Sequence, residues 1–227
     1  GLLTAAPAFA ACEFRMIGEM TVDTSRGVPT VTFEVNGVRK RAYINTGSDV
    51  SVLSEAGAAL LGVKSGDMMA DRTSTAAGET NYHRTLLYNV RIGGAFNMST
   101  FEVLIGGGKP VENDVVGSIG QDVLGASDVE FDLGRDRIAF YTSNGCGKAP
   151  VVDWPGGYNL AEIRKTSPVN PRFQTYVQIN GRKLLTQIGT NLPFSVIDSR
   201  TAAVAGVKPD SPGVQSVGRV DFGTEQS

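Results

Sequence analysis

What most constrains this chain is a repeat inside it. The stretch from Asn36 to Lys64 recurs without a gap from Asn180 to Lys208, at a constant offset of 144 residues and with eleven identities. The shared positions include Asn36-Gly37 and Asn180-Gly181, Thr46 and Thr190, Ser51-Val52 and Ser195-Val196, and Gly62-Val63-Lys64 and Gly206-Val207-Lys208. Self-similarity of this kind predicts two copies of one structural unit.

Each copy reads the same way locally. Val31, Phe33 and Val35 alternate with Thr32 and Glu34, and Thr175, Val177 and Ile179 alternate with Tyr176 and Gln178. That period of two predicts a half-buried strand in each copy. Asn-Gly is the favoured two-residue hairpin turn because both positions tolerate positive φ. A second strand then runs into 45–48 or 189–192. A short apolar strand follows (Val50, Val52 and Leu53; Phe194, Val196 and Ile197), and then a small Ala-rich helix capped by Ser54 in one copy and Asp198 or Ser199 in the other.

Composition agrees with a β fold. Gly is abundant at 28 of 227 residues, charged residues are 19% and hydrophobic residues 41%. That balance favours a turn-rich β protein over a helical bundle or a disordered chain. A net charge of −2 leaves no basic field for nucleic acid or acidic membrane, and no apolar run is long enough to span a bilayer. One His and two Cys leave little for a metal site, so no metal and no cofactor is expected. Gly106-Gly107-Gly108-Lys109 lacks the rest of a phosphate loop and reads as a turn. His83 reads as a solvated loop residue. Asp128, Glu130 and Asp132 alternate with Val129 and Phe131 as one face of a strand.

The ends suggest a compartment. Residues 1–11 read as the remnant of a secretory signal peptide or as a flexible arm, with Ala8-Phe9-Ala10 fitting a small-x-small cleavage pattern. Export to a bacterial periplasm is the expectation. Cys12 and Cys146 sit at the two ends of the first block. In an oxidising compartment they would form a disulfide, and in the cytosol they would stay two unpaired thiols. The Pro- and Gly-containing stretch 148–170 reads as a linker between a first unit at 12–147 and a partial second unit at 171–227.

Ala42-Tyr43-Ile44-Asn45-Thr46-Gly47-Ser48, with the apolar strand and helix after it, resembles the active-site strand of retropepsin-like aspartic proteases. Val115-Val116-Gly117-Ser118-Ile119-Gly120-Gln121-Asp122-Val123-Leu124 resembles that family's segment crossing behind the active-site loop. Residues 128–140 are similar to its closing hairpin. The resemblance is closest to exported bacterial members with two fused lobes. It implies an all-β, acid-protease-type closed β lobe with a second related lobe that is incomplete. It further implies endopeptidase chemistry on an extended peptide or protein substrate, with an Asp from each lobe sharing one proton and activating a water. In that scheme the Thr hydroxyl ties the two loops together, and the Gly lets backbone approach closely.

The sequence departs from the pattern where the acids belong. Asn45 stands at the first catalytic Asp and Gly189, followed by Thr190, at the second, so neither copy carries a carboxylate there. Two readings follow. One is an inactivated aspartic endopeptidase, whose form with Asp at 45 could work as a homodimer. The other is a non-catalytic peptide-binding pseudoprotease or partner subunit. The stretch 73–80, with Ala77 and Gly78 at its tip, is the candidate flap. By the same offset Ser227 corresponds to position 83, and no counterpart of 117–124 lies after it.

Overall fold

A computed structural model describes residues 12–63, 70–75, 78–107, 114–147, 154, 156–165 and 173–218. The elements are β1 (Glu13–Thr21), β2 (Thr30–Val35), β3 (Val38–Ile44), β4 (Val52–Leu53), α1 (Glu55–Leu60), β5 (Ala70–Thr75), β6 (Gly78–Ile92), β7 (Phe96–Ile105), β8 (Val115–Ile119), α2 (Gln121–Leu124), β9 (Asp128–Asp132), β10 (Arg137–Asn144), β11 (Arg164–Lys165), β12 (Phe173–Ile179), β13 (Arg182–Gln187) and α3 (Ser199–Val204).

The β2–β3 hairpin turns on Asn36 (φ 48°) and Gly37 (φ 83°), the pair of positive dihedrals that matches strand twist. Strands then run β2-β3-β8-β4-β7-β6, and β6 returns to pair with β2. This closes a β barrel, the closed all-β unit that the motifs imply. Closure removes sheet edges and buries a shared interior. Phe33, Ile44, Ile92, Ile105, Ile119 and Leu124 are among its fully buried side chains. Among the described residues, the buried core cluster draws only on those between Met20 and Phe140.

Closure needs backbone to lie directly on backbone. β8 is parallel to β3 and antiparallel to β4. A Cβ on Gly117 would sit 2.0 Å from the Val52 carbonyl oxygen, and one on Gly57 of α1 would sit 2.0 Å from that of Val116. Only glycine permits either approach.

Three departures from simple alternation have local causes. Glu34 is buried although β2 should turn it outward; Arg39 and Arg91 pair with its carboxylate at 3.1 and 3.5 Å. Leu87 and Val90 are both buried although three residues apart, because Asn89 between them takes a left-handed conformation (φ 50°) and changes which face looks inward. His83 is not a loop residue: it lies in β6, opposite Ile105 of β7 and Ala70 of β5.

A second sheet, β1-β10-β9, covers the chain ends of this unit. Cys12 and Cys146 are joined there as a disulfide, 134 residues apart. By chain entropy such a closure is worth ~3–5 kcal/mol against the unfolded state. Outward from β9, Glu130 accepts hydrogen bonds from the Trp154 indole (2.8 Å), the Tyr141 hydroxyl (2.8 Å) and Arg137 (3.0 Å).

Residues 173–204 repeat the local elements of 30–60. β12 and β13 pair across Asn180 (φ 49°) and Gly181 (φ 74°). Asp198 caps α3 by accepting from the Thr201 amide, as Ser54 caps α1 through Gly57. β11, inside the stretch read as linker, pairs with β12. The expected short strand at 194–197 is absent. Its counterpart β4 exists because β7 and β8 flank it, and no such strands flank 194–197 among the described residues. Burial differs accordingly. Phe33, Ile44 and Leu53 are 0–2% exposed, whereas Val177, Ile188 and Ile197, each 144 residues on, are 38–45% exposed.

Two outcomes are expected. Gly117→Ala should destabilise the barrel by at least about 2–3 kcal/mol in thermal unfolding, because the obstructing atom is backbone carbonyl. Gly134→Ala, which meets nothing within 4 Å, should stay within about 0.5 kcal/mol. The second concerns acid. The Trp154 indole foremost, with Tyr141 and Arg137, holds the Glu130 carboxyl below its ordinary value of 4.5. The contact is therefore complete above that value and is lost as pH falls through the lower folded value. Emission of Trp154, the single tryptophan, should show this acid step, and Glu130→Gln should abolish it. An unchanged step in that variant would refute the assignment.

Candidate functional site

The barrel delivers residues 45–48 to one end of β3. Ala42 and Ile44 anchor that strand, both fully buried. Beyond Ile44 the chain leaves the sheet in a tight loop. The Asn45 amide donates to the Ile119 carbonyl at 2.9 Å, and the Ser48 amide donates to the Asn45 carbonyl at 3.2 Å. Asn45 Oδ1 accepts from the Gly47 amide at 3.0 Å. That side-chain oxygen is thus committed within the loop.

The segment 117–124 supports this loop from behind, where the motif order puts it. The Gln121 amide donates to the Ser48 carbonyl (2.9 Å), and Gln121 Nε2 donates to the Thr46 carbonyl (2.8 Å). Gln121 is buried, and its Oε1 has no donor among the described residues. Ser51 closes the far side: its amide and hydroxyl donate to the two Asp122 oxygens, each at 2.8 Å. Although Asp122 is exposed as a residue, its carboxyl is enclosed here. Desolvation pushes that carboxyl up, and the Ser51 and Val123 donors pull it back.

Across from the loop lies the segment 144 residues on. Thr46 Oγ1 donates to the Ile188 carbonyl (2.9 Å), and Thr190 Oγ1 donates to the Ile44 carbonyl (2.5 Å). The Thr46 amide donates to Thr190 Oγ1 at 3.2 Å, and Gln187 Nε2 donates to the Gly47 carbonyl at 2.6 Å. Positions 45 and 189 are therefore carried on two loops held together by their neighbours. Gly189 adds no side chain. A Cβ on it would meet only the Asn191 Oδ1, at 3.1 Å.

Besides the two threonine hydroxyls, the side-chain polar groups around Gly47 are neutral carboxamides. A Cβ on Gly47 would lie 2.9 Å from Gln187 Nε2, 3.2 Å from Asn45 Oδ1 and 3.8 Å from Asn191 Oδ1. Beyond the atoms that Gly47 engages, these amides offer donors and acceptors suited to a peptide backbone, and none can exchange a proton near neutral pH. Sequence reading singled out Asn45, Thr46, Gly47, Ser48, Gly189 and Thr190, all of which lie at this junction. It did not single out Gln187, and it gave no bonding role to Asn191 or Gln121. The signal for the first two was a break in the repeat: Gln187 replaces Tyr43, and Asn191 replaces Gly47.

The candidate flap is a hairpin of β5 and β6, with Thr75 paired to Gly78. Its tip residue Ala77 lies outside the described residues.

Residues 31–123 match a family model described as aspartyl protease. Among solved structures, a retropepsin-like aspartic protease from Rickettsia conorii is similar at 18% identity and a TM-score of 0.42, covering 59% of this chain and 95% of that one. No curated protein matches the chain.

Thr190→Val deletes both an acceptor and a donor at the junction. It should loosen the loops by about 1.5–3 kcal/mol, seen as roughly ten- to hundredfold faster hydrogen exchange at the Thr46 amide, with barrel amides unchanged.

Proposed function

Residues 31–123 match the aspartyl protease family model, and from that match we propose that the chain is an aspartic endopeptidase of retropepsin type silenced at its acid positions. The observation that carries this reading is the reciprocal Thr46–Thr190 pairing, which brings positions 45 and 189 to one junction. With Asp at both, like charges so close could not both ionise, and the pair would hold one proton.

The chemistry then follows. The ionised carboxylate takes a proton from a water, and the water oxygen bonds to the scissile carbonyl carbon. The protonated carboxyl gives its proton to the carbonyl oxygen, forming a neutral tetrahedral diol. Proton transfer to the amide nitrogen then breaks the C–N bond and releases a carboxylic acid and an amine. Asn45 cannot accept the water's proton, and Gly189 can neither accept nor donate one. The chain as it stands should leave peptide bonds intact.

A second reading has its own support. The carboxamides of Asn45, Gln187 and Asn191 around Gly47 suit retention of an extended peptide without cleavage. For either reading we take the setting to be exported and periplasmic, with the Cys12–Cys146 disulfide in support. The substrate in both is an extended peptide or protein segment.

Asn45→Asp combined with Gly189→Asp tests the leading reading. Residue 189 lies outside the positive-φ region, and the one atom near its new Cβ ends a flexible side chain. The folded double variant should cleave an unfolded protein with an acidic, bell-shaped pH profile. Each single variant should be at least about a hundredfold slower, the scale of losing one acid–base partner. A folded double variant with no cleavage at any pH from about 3 to 7 would end this reading and leave the binding one.

A further inference from the structure

The two copies of the repeat differ in charge on the outward face of their hairpins. In the first copy the Glu34 carboxylate of β2 stands between two cations and takes both Arg39 and Arg91. At the same place in the second copy the acid is an amide, Gln178, while the cation persists as Lys183, the counterpart of Arg39. A ring has also entered, with Tyr176 where Thr32 stands in the first copy. Gln178 faces Lys183 across the β12–β13 ladder, and Tyr176 faces Leu185.

Without that carboxylate, the second copy gathers its cations on the ring. The Lys183 ammonium lies 4.1 Å from the Tyr176 ring centroid, and the guanidinium carbon of Arg164 on β11 lies 5.7 Å from it. Arg164 Nη1 also donates to the Tyr176 hydroxyl at 2.7 Å. Among the described residues, the ion pairs with carboxylates are made by other cations than these two. The face of an aromatic ring attracts a cation, but two like charges at one ring repel, and an anion shared between them relieves that repulsion. The place is open to such a ligand, with Tyr176 42% and Leu185 49% exposed.

The same face runs on to the site loop. Lys183, Leu185 and Gln187 alternate along β13 and so project from one side of it, and Gln187 Nε2 donates to the Gly47 carbonyl. Lys183 is four residues from Gln187, about 13 Å at the rise of a strand. An extended peptide has the same rise and the same alternation. A segment held at the loop and continuing beside β13 therefore sets every second side chain over this face. That match of period favours a peptide over a lipid surface, which has no such spacing.

We propose that Arg164, Lys183 and Tyr176 form a docking site for an acidic side chain of an extended peptide, about four residues from the part held at the 45–48 loop. The guanidinium and the ammonium take the carboxylate in charge-assisted hydrogen bonds. Tyr176 holds the two cations beside each other, and Leu185 offers apolar surface to the peptide between the two points. The placement of the peptide rests on the reading above that an extended segment lies at the junction, whereas the cationic face does not.

The test is peptide binding to the full chain near neutral pH, read by the anisotropy of an uncharged dye. One probe is a twelve-residue peptide of Thr, Ala and Ser with Glu-Glu at its centre, and the other has Gln-Gln there. Of two successive side chains one always faces the sheet. At about 50 mM salt the acidic peptide should bind roughly three- to thirtyfold more tightly, the scale of two exposed ion pairs. At about 1 M salt, where charges are screened within about 3 Å, the ratio should fall towards one. Arg164→Gln with Lys183→Gln should bring the ratio to about one, and so should Gln178→Glu, which restores the first copy's internal acid. A preference that survives either variant, equal affinity for the two peptides, or binding of neither at up to about 1 mM would overturn the proposal. Tighter binding to phosphatidylglycerol vesicles than to the acidic peptide, lost in the double variant, would also overturn it and give the face to a membrane. Binding of the acidic peptide with no hold on the neutral one would uphold the cationic face and count against a peptide site at the junction.

Discussion

Direct contact of backbone on backbone, where β8 passes behind β4 and α1, is the constraint on which the rest of the structure depends. Gly117 against Val52 and Gly57 against Val116 leave no room for a side chain. This approach lets β8 lie between β3 and β4 and closes the barrel. It also brings Gln121 under the Thr46 carbonyl and Asp122 beside Ser51. Without the crossing, the loop at 45–48 would lack the supports that define its shape. Closing the barrel and shaping the loop are thus one event.

The loop so built presents a carboxamide, not a carboxylate, at position 45. Asn45 accepts from the Gly47 amide through Oδ1, a contact a carboxylate oxygen could equally make, whereas a carboxamide cannot exchange a proton near neutral pH. Across the junction the arrangement differs. Gly189 has no side chain, and the Asn191 oxygen lies beside the position a Cβ would take. One side keeps the shape and the other does not. Yet both keep the threonine, whose role is to hold loops rather than to move protons.

Much of this was readable in advance, for local reasons. Asn-Gly at 36–37 and 180–181 needs two positive dihedrals, which any tertiary setting must respect. Ser54 and Asp198 cap helices through their own neighbouring amides. The order of the 42–48 and 115–124 motifs identified the site loop and its support. What escaped reading was non-local. His83 looked like a loop residue because its own stretch is polar, but pairing with β7 and β5 makes it strand. Residues 194–197 look like 50–53, yet a two-residue strand exists only where neighbours hydrogen-bond to it. The burial of Glu34 depends on Arg39, five residues away, and on Arg91, fifty-seven away.

By itself the sequence determined the turns, the caps and the absence of carboxylates at 45 and 189. These are properties of residue types, unaffected by what packs nearby. The repeat and the resemblance implied that the two loops meet, and only the tertiary structure decided which groups join them. Four hydrogen bonds between 44–47 and 187–190 are made by groups some 140 residues apart. No local pattern encodes such a pairing, because its existence depends on the barrel first presenting the loop and on the chain then returning to meet it.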